Sequence, residues 1–119
     1  MSYAIQFTDD GLADVKALPK SVRNSLAKAL KSKVAKDPIR CSEPLRGPLA
    51  GWHSFHFGKY RVIFRIYEDL KVVAIAGIGS HSSQAGRDIC RKLEALARRG
   101  ELAKSILATL RGFSDPRDE

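Results

Sequence analysis

The sequence predicts an α+β fold: an antiparallel β-sheet carrying an N-terminal α-helical hairpin and a C-terminal helix. Three patterns carry the prediction. Tyr3, Ile5 and Phe7 alternate with Ala4 and Gln6, the period of a short strand with one apolar face. Two helical periodicities then meet at Pro19. Between Trp52 and Gly79, three strand-like segments are separated by two tight turns.

Thr8 is placed to cap the first helix, because its side chain can accept from an early backbone N–H. Asp9 and Asp10 suit the positive helix start. Leu12, Val15 and Leu18 form the expected apolar stripe. Pro19, lacking an N–H, ends this helix or opens the next. The second helix is expected from about Ser21 to Lys36, with Val22, Leu26, Leu30 and Val34 recurring every four residues on one buried face. Its other face carries Arg23, Lys28, Lys31, Lys33 and Lys36. That face is a solvated surface, a rail for phosphates or a dock for an acidic partner. Asp37-Pro38 closes the helix, and residues 37–51, with three prolines and two glycines, read as a structured connection.

The central hairpin is expected from Trp52 to Tyr67, turning at Gly58-Lys59. Glycine first in a two-residue loop suits a type II′ turn. This turn sets Phe57 against Tyr60, His56 against Arg61, Phe55 against Val62 and Ser54 against Ile63. Directly opposed residues share a face. Phe55, Phe57, Tyr60, Val62, Phe64 and Ile66 therefore form the core face, and Trp52, Ser54, His56, Arg61 and Arg65 the other. His53 falls on the core face and reads as structural. After a turn at Glu68-Asp69-Leu70, Lys71 to Gly79 is the third strand; pairing Tyr67 with Lys71 would set Arg61 opposite Gly77. His81 then follows the strand end, so His56, Arg61 and His81 converge at one end of one face. Ser82 or Ser83 caps a helix reaching about Arg98, with Ile89, Leu93 and Leu96 inward and Gly100 as its stop. A last short helix, Glu101 to Arg111, carries Leu102, Ile106 and Leu110 on one side, and Gly112 ends it before a frayed tail.

Composition bounds the function. At 119 residues with a net charge of +8, the chain is one domain by length and is drawn to polyanions or acidic proteins. Cys41 and Cys90 form no metal-ligand or redox motif and read as free thiols in a reducing cytoplasm. No apolar run approaches the ~18 residues of a membrane span. The first residues lack the basic-then-apolar pattern of a secretory signal, so a cytoplasmic protein without membrane contact is expected.

Leu45-Arg46-Gly47, Gly51, Gly58-Lys59-Tyr60-Arg61-Val62-Ile63-Phe64 and Gly79-Ser80-His81, in this order of elements, resemble the RelE/ParE superfamily of bacterial toxins from toxin–antitoxin pairs. The resemblance covers roughly residues 3–98. It divides the chain into a toxin domain, 1–98, and a C-terminal helical extension and tail, 99–119. It implies a cognate antitoxin as partner, no cofactor and no metal. RelE-like members are metal-independent ribonucleases cutting mRNA on the ribosome; ParE-like members share the fold and poison DNA gyrase instead. A third possibility is a catalytically inactive member that only binds its antitoxin. The fold cannot choose among these, so the site residues must.

Cleavage without a metal needs a base for the ribose 2′-OH, a cation for the phosphorane and an acid for the leaving 5′ oxygen. Histidine suits the first and last roles, arginine the second. By resemblance, Arg61 stands at the phosphate-binding position, His81 is the candidate general acid and His56 the candidate base. Trp52, Ser54, Arg65 and Arg87 are candidate substrate contacts. Trp52 is alternatively a core residue. Two departures mark this chain. Ser54 and His56 stand where ribonuclease members often carry two lysines, and Gly86-Arg87 where an aromatic is common. The pattern is that of a histidine-based ribonuclease, or of a gyrase poison whose histidines are incidental.

Overall fold

The computed structural model describes residues 2–80, 89–100, 104, 106 and 108–110. The elements are β1 (Ala4–Phe7), α1 (Asp9–Lys16), α2 (Lys20–Ala29) continuing as a π-helical stretch (Leu30–Val34), β2 (Glu43–Pro44), a 3-10 turn (Gly47–Leu49), β3 (His53–Phe57), β4 (Tyr60–Tyr67), β5 (Val72–Ser80) and α3 (Ile89–Arg98). The strands form one sheet in the order β1-β5-β4-β3-β2. The α+β class and the helical hairpin are as expected. The sheet is mixed rather than purely antiparallel, because β1 enters parallel to β5 while the remaining pairs are antiparallel.

Both sheet faces are packed. On the first, Leu26, Leu30 and Val34 of the helical hairpin cover Phe55, Val62, Phe64, Val73, Ile75 and Ile78. On the second, Leu49, Trp52, Ile89, Leu93 and Ile106 cover Ile63, Ala74 and Ala76. Residues 104, 106 and 108–110 are helical, Ile106 belongs to the second core and Leu110 packs against that core. Gly100, at φ +74, follows α3 as its expected stop. Ser82, Ser83, Leu102, Gly112 and the tail lie outside the described residues.

Four expectations are corrected. Leu12 is not in the α1 stripe: it is exposed, while Gly11 is buried. A Cβ built on Gly11 would lie 2.4 Å from the Ile75 carbonyl oxygen, so α1 touches β5 through the one residue without a side chain. The third strand starts at Val72, not Lys71. Lys71 sits at φ +54 inside the turn, and Tyr67 pairs with Val72. A register shift between Ile63 and Phe64 then leaves Ala76 as an extra residue, and Arg61 faces Gly79 rather than Gly77. Finally, Trp52 precedes β3 instead of starting it.

The second helix follows its apolar repeat. A four-residue spacing overshoots an α-turn by about 40° each time, so Val22, Leu26, Leu30 and Val34 would drift off one face. Underwinding corrects the drift: the Ala35 N–H reaches back five residues to the Leu30 carbonyl at 2.7 Å. Leu26 and Val34 are 1% and 0% exposed as a result.

His53 stacks on Phe64, with ring centroids 6.0 Å apart and planes 8° from parallel. The Ser42 hydroxyl donates to the Pro38 carbonyl, and Ser42 Oγ lies 3.1 Å from His53 Nδ1. With that hydroxyl proton committed, the neutral ring donates from Nδ1–H to Ser42. Burial holds the His53 pKa below its ordinary 6.5.

Gly11→Ala should destabilise the protein. The gain of about 1 kcal/mol in helix propensity is outweighed by a backbone clash costing about 1–3 kcal/mol or more; urea unfolding should report the net loss. The depressed pKa of His53 means that its stability contribution is complete above about pH 6.5 and falls away as pH drops toward the lowered value. Urea midpoints measured from pH 7 to pH 5 should therefore decline less steeply in His53→Asn than in wild type.

Candidate functional site

The site begins with the hairpin turn. Gly58 has φ +58, while Lys59 is not in the positive-φ region, the combination a type II′ turn requires. The turn locks β3 and β4 in the expected register, with Phe57 opposite Tyr60 and His56 opposite Arg61. On its other side Arg61 faces Gly79. His56, Arg61 and Gly79 thus form one row across three strands, at the end of the second face away from the β4–β5 turn. Ile89 of α3 sits over Gly79, where a Cβ would lie 3.1 Å from its own.

The chemistry of the row is graded by exposure. The His56 side chain is 53% exposed, and its Nε2 lies 4.0 Å from Glu43 Oε2. Glu43 belongs to the short edge strand and pairs with Ser54, so it shares a face with His56. Such an exposed pair adds little to stability, but it sets a carboxylate against the imidazole. Arg61 is half-buried, and among the described residues its Nε has no hydrogen-bond partner. Ser54, in the neighbouring row of the same face, is 1% exposed, and its Oγ likewise has no partner among the described residues. Among the described residues, two buried donors on one sheet face thus lack acceptors. Arg23 Nε on α2 likewise has no partner among the described residues.

The other expected residues divide. Trp52 is 4% exposed in the second core, which leaves its ring no free face for a base. Its role there is to pack beside Leu49 and Ile63, and its carbonyl accepts from the Leu45 N–H at 2.9 Å. Arg65 is exposed and lies over the Tyr67 ring at 5.7 Å. Four residues from Arg61 along β4, it is about 13 Å away and outside the row. His81 and Arg87 lie outside the described residues; β5 ends at Ser80, opposite Tyr60. The residue that sequence reasoning missed is Glu43. Its signal was the Glu43-Pro44 pair, since proline in an extended segment is compatible with an edge strand.

Among the described residues no group of three or more His, Cys, Asp or Glu side chains is placed to hold a metal ion. No helix among them is long and apolar enough to cross a membrane.

Comparison with known proteins agrees with this architecture. Toxin RelG of Mycobacterium tuberculosis is 31% identical over 75 residues, spanning 63% of this chain and 86% of RelG. The toxin–antitoxin complex RelBE2 from the same organism contains a chain that superposes with a TM-score of 0.64 at 28% identity, covering 67% of this chain and 99% of that one. A mutant of Escherichia coli toxin RelE in the free state superposes at 0.61 and 22% identity, over 82% of this chain and 98% of its own, which establishes the shared fold. Residues 5–85 match the family described as the ParE toxin of the type II toxin-antitoxin system, parDE. The chain therefore belongs to the ParE toxin family of type II toxin–antitoxin systems, within the RelE/ParE superfamily.

Proposed function

We propose that this toxin is an mRNA endoribonuclease acting on the ribosome and held in check by a cognate antitoxin. The observation that carries the reading is the His56–Arg61 pair, an acid–base group directly across from a cation at the exposed end of the second face. His56, with the Glu43 carboxylate 4.0 Å from its Nε2, takes the proton from a ribose 2′-OH. The 2′ oxygen attacks the adjacent phosphorus, and Arg61 neutralises the charge that builds on the phosphoryl oxygens. The P–O5′ bond breaks, and His81 delivers a proton to the departing 5′ oxygen. The products are a 2′,3′-cyclic phosphate and a 5′-OH.

Charge supports a polyanionic target. From Val15 to Lys36 the chain carries Lys16, Lys20, Arg23, Lys28, Lys31, Lys33 and Lys36 and no Asp or Glu. The lysines of this stretch are exposed. The family match and the RelBE2 complex support an antitoxin as the physiological partner. In this reading residues 1–98 are the toxin domain and 99–119 a C-terminal helical extension and tail, of which Ile106 and Leu110 pack in the second core.

Induced expression in a bacterium, with mapping of mRNA 5′ ends and parallel scoring of DNA breaks and supercoiling, tests the proposal. New cuts in translated mRNA should appear with wild type and fall by about a hundredfold or more in His56→Ala, Arg61→Ala and His81→Ala. Growth arrest with intact mRNA and gyrase-linked breaks would instead make the chain a gyrase poison, and no growth effect would make it an inactive antitoxin-binding member. For the basic stretch, replacing Lys28, Lys31, Lys33 and Lys36 by alanine should weaken ribosome binding and flatten its salt dependence, by about 0.7–0.9 in log–log slope for each phosphate that is no longer neutralised.

A further inference from the structure

β1 ends at Phe7, whose partner is Ile75, whereas β5 continues to Ser80. From Ala76 onward no strand among the described residues lies along the outer edge of β5, so its backbone groups there take other partners. Residues of α1 and its cap supply them. The Thr8 N–H donates to the Ile75 carbonyl at 2.9 Å. The Thr8 hydroxyl donates to the Ala76 carbonyl at 3.4 Å and accepts from the Gly11 N–H at 3.0 Å. Asp14 Oδ2 accepts the Ile78 N–H at 3.0 Å. The other oxygen of the same carboxylate, Oδ1, lies 3.8 Å from Lys92 Nζ on α3.

Asp14 therefore touches three elements at one place: α1, which carries it, β5 and α3. Its side chain is only 20% exposed. The place matters because Ile78 immediately precedes Gly79, which faces Arg61. It also lies just beyond the Ala76 bulge, where the ladder to β4 is interrupted. We propose that Asp14 is a positioning residue for the Arg61 site. By accepting the Ile78 N–H it fixes the end of β5, so that Gly79 and Ser80 lie across Arg61 and Tyr60. Lys92 links the same carboxylate to the helix that covers Gly77 and Gly79. The catalytic consequence of this role rests on the cleavage reading above; the structural role does not.

The test uses the purified full chain and three variants, Asp14→Ala, Asp14→Asn and Lys92→Met. Amide hydrogen exchange at Ile78, read by NMR, should accelerate about a hundredfold in Asp14→Ala, with the Gly79 amide and Arg61 Nε resonances displaced. Asp14→Asn retains a carbonyl acceptor and should restore protection. Lys92→Met should leave Ile78 protected. On ribosomes programmed with a defined mRNA, Asp14→Ala should lower kcat about tenfold or more with little change in KM, and Asp14→Asn should recover most of it. Unchanged exchange at Ile78 in Asp14→Ala overturns the assignment. So does a loss of protection with undisturbed Gly79 and Arg61 resonances, or with full kcat. If wild type cuts no mRNA, the cleavage reading falls, and the exchange and resonance data still decide whether Asp14 holds the end of β5.

Discussion

The structure depends on β5 being enclosed. Val72 to Ile75 are 0% exposed and Ala76 is 1% exposed, with β1 on one edge, β4 on the other and a hydrophobic core on each face. A strand in that position cannot follow simple alternation unless its large and small residues fall correctly on both faces. Val73, Ile75 and Ile78 must meet the helical hairpin, while Ala74, Ala76, Gly77 and Gly79 lie toward α3. The spacing from Ile75 to Ile78 is odd, so regular pleating would turn Ile78 to the wrong side. The bulge at Ala76 absorbs the extra residue and returns Ile78 to the first core.

That correction shapes the site. It moves Arg61 from the expected partner, Gly77, to Gly79, and so places it nearer the strand end. It also brings two glycines under α3. A Cβ on Gly77 would lie 3.0 Å from the Ile89 Cδ1 and 3.2 Å from the Leu93 Cδ1, so the helix packs onto bare backbone. The second face is divided as a result. Its middle is a dry core around Ile63 and Trp52, and its end is polar, with His56 and Glu43 exposed and Arg61 half-buried. The polar end gains little stability from its ion pair, so the groups there are held by strand register rather than by one another.

The helical hairpin separates two demands. Its inward face closes the first core, with π-helical underwinding keeping Val34 beside Leu30. Its outward face carries lysines without a balancing acid. Exposed like charges cost the fold little at physiological salt, where screening acts over about 8 Å, yet they raise the attraction for a polyanion.

Local pattern was enough for much of this molecule. Thr8 caps α1, the Gly58-Lys59 turn sets His56 against Arg61, and the hydrophobic faces of α2 and the hairpin follow their periods, because each depends on contacts a few residues apart. The same short-range logic failed wherever a distant element decided the outcome. Nothing near Leu12 announces that Gly11 must touch the Ile75 carbonyl, and nothing in residues 71–79 announces the bulge, which answers to two cores at once. Glu43 came beside His56 only through the pairing of a two-residue edge strand, and Trp52 was withdrawn from the surface by Leu49, Ile63 and α3. The sequence by itself determined the helical hairpin, the three-stranded meander, the β3–β4 register and one core face of the sheet, since these follow from backbone sterics and apolar period. Only the tertiary structure decided which polar groups meet, because that depends on how tightly α1 and α3 close on β5.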